Sequence, residues 1–255
     1  MRVIAFELLL AALAVAESST PGAVLQRTGA RVNEFWERFS AVTCTETVSQ
    51  RKLEQSGKAI VQKTSTFDYL ILLQMNGDDL MVEESRVLQG KPGKETDRAL
   101  LTTSGFSTLL LIFHPIFQPS FEFRQMLDEE LGGRRYLKFA FTHIAGRRTP
   151  SVLQLRSRTY PIEWQGIAWI DAESYSVARI QAALRGPMTD VGMERLTSDV
   201  RYSPVALRGG GESPWLPATA LIEAATLRQR WQNQHQFTRY REFVVDTDVK
   251  VEAPK

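Results

Sequence analysis

From residue 58 onward the chain reads as a run of short strands cut by tight-turn residues, and this rhythm constrains the fold more than any other feature. Phe121 to Leu127 and Tyr136 to Ile144 each alternate apolar and polar residues with a period of about two. Gly132-Gly133-Arg134-Arg135 lies between them, which predicts an antiparallel hairpin because glycine supplies the positive φ that tight hairpin turns need. Other strands are expected at about 43–51, 58–75, 80–88, 153–158, 162–170, 176–184, 195–202, 218–230 and 234–245. Asn76-Gly77-Asp78-Asp79 and Asp171-Ala172-Glu173-Ser174-Tyr175 join two of these pairs with good turn chemistry. Short connections favour strands that pair with their sequence neighbours, an up-and-down meander. The strand-helix alternation of an α/β enzyme is absent.

Ahead of the strands, Val32, Phe35, Trp36 and Phe39 recur at i, i+3, i+4 and i+7, which puts them on one face of a helix spanning about 28–42. A helix this aromatic needs apolar surface to cover, and a curved antiparallel sheet supplies it. The fold class expected is therefore α+β, a strongly curved antiparallel sheet covered by helices. A second apolar stretch, Phe106 to Phe117, is broken by His114-Pro115 and predicts a helix ending near Phe113, since proline disfavours helical geometry in the residue before it. Core packing, a plug in the concave side of the sheet and a partner-facing patch all suit that stretch. Gly90 to Gly105 and Arg208 to Pro214 read as exposed loops.

The first sixteen residues carry Arg2, an apolar run from Val3 to Val15 interrupted by Glu7, and the small-x-small end Ala14-Val15-Ala16. This is the pattern of a secretory signal cleaved after Ala16, and the run is shorter than the roughly 20 residues that span a bilayer. The organisation expected is a signal over 1–16, a flexible leader over 17–27 and one domain over 28–250, in an exported, periplasmic protein. Cys44 is the only cysteine, so no intrachain disulfide forms, and its strand-like flanks predict a buried, inert thiol. With 31 basic and 29 acidic residues scattered along the chain, no basic stripe points to nucleic acid.

No constellation of catalytic residues stands out. His114, His143 and His235 share no metal-ligand spacing, and His143 and His235 read as surface or turn residues. No Gly-x-Ser-x-Gly elbow occurs, and Asp128-Glu129-Glu130 reads as solvated charge at a strand end. Neither a metal nor a cofactor is expected. Strand faces say more. Leu137, Phe139 and Phe141 share one face, as do Phe121, Phe123 and Leu127, whereas at 162–170 Ile167 and Trp169 face one way and Ala168 and Ile170 the other, as if that strand were covered on both sides. Surplus apolar surface of this kind is unfavourable in water by about 1.5 to 3 kcal/mol per large side chain, which a bound acyl chain could recover. Ordinary core packing explains the same alternation.

Exported leader, aromatic helix and meander in this order resemble the periplasmic lipoprotein-carrier superfamily, the LolA-like and LolB-like proteins. Gly166 to Asp171 followed by Tyr175 to Ile180 is similar to that family's pair of strands joined by a D-x-x-[ST] turn, and Trp215 to Ala218 with Phe237 to Phe243 resembles its last hairpin. Val42 to Val48 resembles a segment of exported bacterial proteins with this plan. The resemblance implies an unclosed β-barrel with helices over its concave side and an apolar cavity for acyl chains. It implies a non-catalytic protein that binds a lipid or an acylated protein. Phe106, Leu110, Phe113, Phe121, Phe123, Phe139, Phe141 and Trp169 are the candidate lining. The alternatives are a cell-envelope interaction module with a self-filled core, binding a protein partner by its rim loops, and a hydrolase with a dispersed site.

Overall fold

The computed structural model describes residues 20–39, 42–76, 79–90, 101, 103–155, 158–207 and 213–242. The expected signal over 1–16, most of the 90–105 loop, the centre of the 208–214 loop and the middle of the Asn76–Asp79 turn lie outside the described residues.

Helix α1 runs from Pro21 to Phe39, beginning inside the segment expected to be a flexible leader. The local reason is a proper start: Pro21 sits at the first helical position, where a missing N–H costs nothing, and the Thr20 hydroxyl accepts from Ala23 N at 3.3 Å. Val24, Thr28, Val32 and Phe35 form its buried stripe. Gly29 is what lets α1 sit so low, because a Cβ there would lie 2.8 Å from Gln118 Nε2 and 3.2 Å from Phe113 O. Gln118 Nε2 donates to Leu25 O at 2.9 Å and Phe113 O at 2.6 Å, tying helix and segment together.

Among the described residues thirteen strands follow. They are β1 (Val42–Leu53), β2 (Ala59–Asn76), β3 (Asp79–Leu88), β4 (Phe121–Gln125), β5 (Glu129–Leu131), β6 (Arg134–His143), β7 (Val152–Leu155), β8 (Arg158–Pro161), β9 (Trp164–Asp171), β10 (Val177–Leu184), β11 (Met193–Pro204), β12 (Trp215–Thr226) and β13 (Arg230–Glu242). Eleven form one antiparallel sheet in the order β3-β2-β1-β13-β12-β11-β10-β9-β6-β4, with β5 continuing beside β6, while β7 and β8 make a separate hairpin. The sheet is not closed, since β3 and β4 are its two edges. The meander expected from short turns holds within β1–β3, β4–β6 and β9–β13. Two joins break it: the first strand pairs with the last, and β6 pairs with β9 across the β7–β8 excursion.

Several sequence expectations need correction. Among the described residues one α-helix covers the sheet, not several; the second apolar stretch forms a short 3₁₀ segment, Leu109–Phe113, ended by extended His114 ahead of Pro115. The strand expected over Phe121 to Leu127 and beyond is two, because from Gln125↔Phe139 to Glu129↔Tyr136 one side advances four residues and the other three. That extra residue is a bulge, and it throws Leu127 out to 90% exposure rather than leaving it in the Phe121–Phe123 row. The strand read over 153–158 is the β7–β8 hairpin. The 218–230 strand ends at Thr226, whose hydroxyl accepts from Arg228 N and Gln229 N to make a turn without glycine or proline. His143 and His235 are buried, at 2% and 3% exposure, not surface residues.

Candidate functional site

The sheet face turned toward α1 divides into an aromatic half and a polar half. On the aromatic half, β4, β6 and β9 place alternate residues inward, and cross-strand register sets Phe123 opposite Phe141 and Phe121 opposite His143. Phe113 descends onto them from the 3₁₀ segment, with ring centroids 5.2 Å from Phe123 and 6.4 Å from Phe141. Phe121 lies 6.2 Å from both Phe123 and Phe141. Phe139, opposite Ala168, is fully buried. Phe106 packs edge-on against Trp164 at 6.4 Å. Six of the eight candidate lining residues, Phe106, Phe113, Phe121, Phe123, Phe139 and Phe141, therefore belong to one core in which ring meets ring at packing distance.

The other two are placed differently. Leu110 faces a cleft between α1 and the sheet, bounded by Val32 and Phe35 of α1, Ser176 and Val177 at the start of β10, and Pro214 and Trp215 at the start of β12. The cleft has about 40 Å³ of room, enough for about two or three waters. Trp169 is on the opposite sheet face. It is buried there because Lys138 and Arg179, its register neighbours, fold over its ring at 5.2 and 4.8 Å, while its Nε1 donates to Glu129 at 3.1 Å. The cover over both faces of β9 is thus core packing inside and cation–π cover outside. Lys138 and Trp169 also hold the Glu129 carboxyl below its usual range, so Glu129 is not merely solvated charge.

Gly166 makes the tight curvature of this half possible. Its missing Cβ would lie 2.0 Å from Gln181 O and 2.8 Å from Phe141 Cζ, so no other residue fits without moving the β10 backbone. On the face away from α1, the same strands leave a groove of about 620 Å³, floored by Ala140, Ile167, Ala183 and Leu221 and edged by Gln181 and Asp199. Asp199 is held by Arg179 and Gln181, which outweigh the effect of burial and lower its pKa.

The polar half is the feature that sequence reasoning missed. Glu46 of β1 is fully buried, yet it accepts two bonds from the Arg86 guanidinium of β3, one at 3.0 Å, and one from His235 Nδ1 of β13 at 2.7 Å. Because a carboxylate only accepts, Nδ1 carries the proton, and in the neutral ring Nε2 accepts from the Thr103 hydroxyl at 2.8 Å. Asn233 Nδ2 donates to Thr103 Oγ1 and to Leu101 O, and Gln50 Nε2 donates to Leu101 O as well. Glu84 accepts from Gly105 N at 2.6 Å and pairs with Arg86, and Tyr69 bonds Ser107 at 2.7 Å. Burial raises the Glu46 pKa, but the bonds from His235 and Arg86 outweigh it and hold the carboxyl below its usual range. The signal that could have revealed this network is period two: Glu46 and Gln50 share a strand face with Cys44 and Val48, and Asn233 and His235 share one with Phe237.

Hydroxyl, imidazole and carboxylate in a row is the order of a hydrolytic triad. Here Thr103 and His235 are buried along with Glu46, Arg86 already occupies the carboxylate, and neither described cleft reaches them. What the arrangement does is pair the charges of Glu46, Glu84 and Arg86 while clamping Leu101, Thr103, Gly105 and Ser107 onto the sheet. Cys44 is inert in the same interior: burial, with Glu46 adding, pushes its thiol up to about 12. Among the described residues no cluster of three His, Cys, Asp or Glu could hold a metal ion.

The sequence matches no family model and no curated protein. Among solved structures, the chain is similar to a LolA superfamily protein from Nitrosomonas europaea at 13% identity and a TM-score of 0.39, with 86% of this chain and 93% of that one covered. It is similar to a DUF1329 family protein from Desulfovibrio piger at 12% identity and a TM-score of 0.47, covering 91% and 94%. A third, from Vibrio parahaemolyticus, is a domain named for outer membrane lipoprotein sorting, at 11% identity and a TM-score of 0.44, covering 89% and 93%. The family named among these neighbours is the one that the strand-and-turn motifs of this sequence resemble.

Proposed function

We propose that this chain is an exported, non-catalytic protein that binds a lipid or the acyl chain of a lipidated partner between α1 and the inner face of its open sheet. The observation that carries this reading is the build of that face: an apolar, aromatic surface on an unclosed sheet, capped by α1 and the Leu109–Phe113 3₁₀ segment, with the cleft at Leu110 opening between cap and sheet. The cleft as it stands admits only the first carbons of a chain. Deeper binding requires α1 to lift and Leu110 to give way, with each methylene buried contributing about 0.8 kcal/mol. The family resemblance in the sequence supports the same reading, as does the export signal read over residues 1–16.

A second reading, an envelope interaction module with a self-filled core, is favoured by the ring-to-ring packing of Phe113, Phe121, Phe123 and Phe141. Native mass spectrometry of the protein exported by a bacterial host, followed by organic extraction, separates the two. A stoichiometric acyl ligand is the expected result. A bare protein mass together with no uptake of a fluorescent fatty acid would sink the lipid reading in favour of the module.

A further inference from the structure

We infer that the turn between β9 and β10 is the head-group site of the cleft, and that it selects amphiphiles with an anionic head, a carboxylate or a phosphate ester, over neutral ones. This rests on the reading that the cleft takes an acyl chain. Three guanidinium groups from two distant parts of the chain converge on this one turn. Arg27 Nη1 donates to the Tyr175 hydroxyl at 2.6 Å, and its guanidinium lies 4.9 Å from that ring. Arg31, which itself borders the cleft, donates from Nε to Ser174 O at 2.9 Å. Arg134, set at the start of β6 by the Gly132-Gly133 hairpin, reaches Asp171 at 3.3 Å and lies over the Trp215 ring at 5.6 Å.

The turn that they grip runs directly into the cleft wall. Ser176 and Val177 follow Tyr175, and Trp215 under Arg134 forms the opposite side. Tyr175 holds φ at +58°, a left-handed conformation unusual for a non-glycine residue, which aims its ring toward Arg27. The Asp171 carboxylate is shared, Oδ1 accepting from the N–H and hydroxyl of Ser174 and Oδ2 from Arg134, and Glu34, also in the cleft wall, pairs with Arg31. Glu173 is exposed on the same turn. A guanidinium offers five donors in a planar fork that matches a carboxylate or phosphate, and the bonds described engage one donor of Arg27 and one of Arg134. A cleft with Arg31 in its wall, and with Arg27 and Arg134 on the turn that leads into it, suits a molecule with a tail and an anionic head.

The test is calorimetric titration of the full chain with dodecanoate, dodecyl phosphate, neutral 1-dodecanoylglycerol and inorganic phosphate. The expected result is at least tenfold tighter binding of the two anionic amphiphiles than of the glycerol ester, weakened by added salt. That preference disappears in an Arg27→Gln, Arg134→Gln double variant whose circular dichroism matches the wild type, and grows in Glu173→Gln. Equal binding of all three amphiphiles overturns the head-group site while leaving acyl binding intact. Inorganic phosphate bound as tightly as dodecyl phosphate overturns it as a free-anion site. No binding by any probe overturns both readings.

Discussion

Glu46 is the residue on which most of the polar interior turns. Removing one partner from a buried ion pair typically costs about 3 to 5 kcal/mol, because the other charge is left uncompensated. Glu46→Gln is therefore expected to lower stability by about that amount, read as a shifted urea midpoint with unchanged slope. The pH dependence follows from the direction of its shift. The folded pKa lies below the unfolded one, so the contribution is complete above the ordinary carboxylate range and is lost as pH falls through the folded value. Glu46→Gln should flatten the acid limb of the stability curve, and an acid limb identical to that of the wild type would remove Glu46 from this role. Phe139, with no exposure at all, tests the aromatic half, where Phe139→Ala should cost about 3 to 5 kcal/mol in equilibrium unfolding. Alternation made Phe139 and Phe141 legible as inward-facing before any coordinates. It could not show that Phe113 would land on Phe141 from outside the sheet, since that contact is not encoded in any local period. Nor could it show that Glu46, Arg86 and His235 meet, because each is a polar side chain that water would serve equally well until the register linking β1, β3 and β13 is known.

At the scale of elements, the helix-to-sheet contact is where stability and binding oppose each other. Leu110 is buried between α1 and β10 at the back of the cleft. Leu110→Ala should lower the melting temperature, with a cost of about 2 to 5 kcal/mol, and at the same time raise the affinity for a fluorescent fatty acid by enlarging the cleft. Loss of stability with no gain in uptake would mean that the chain does not enter there. The sequence located α1 by its aromatic periodicity but missed its first two turns, because residues 17–27 read as a flexible leader. Gly29, inside the expected helix, is a packing device, used where the helix meets Gln118 and Phe113. The 3₁₀ segment was visible as an apolar run with a stop at His114-Pro115.

At the scale of the molecule, the open sheet was legible as a meander of short strands, and its two long-range joins were not. Short turns say nothing about which strand sits beside the first. The pairing of β1 with β13 brings together residues as far apart in sequence as Glu46 and His235, separated by 189 positions. Contacts this distant slow folding, because loop-closure entropy must be overcome before any contact rewards it. Refolding from urea is expected in the millisecond-to-second range or slower, measured by stopped-flow tryptophan fluorescence. Deleting β13 should abolish the cooperative transition outright, since it strips partners from both β1 and β12. A truncated chain that still unfolded cooperatively would show that β1–β3 and β9–β12 are separate folding units.

That same join sets an order in time. As the chain is made, β1 emerges early and finds β2 and β3 soon after, yet its other edge stays bare until the thirteen residues of β13 arrive, and Glu46, already paired with Arg86, waits with it for the hydrogen bond from His235. Until then the chain holds a three-stranded sheet with a charged inner face and an unpaired flank on β1. Arrival of β13, rather than any local event, is what commits the sheet to its native order.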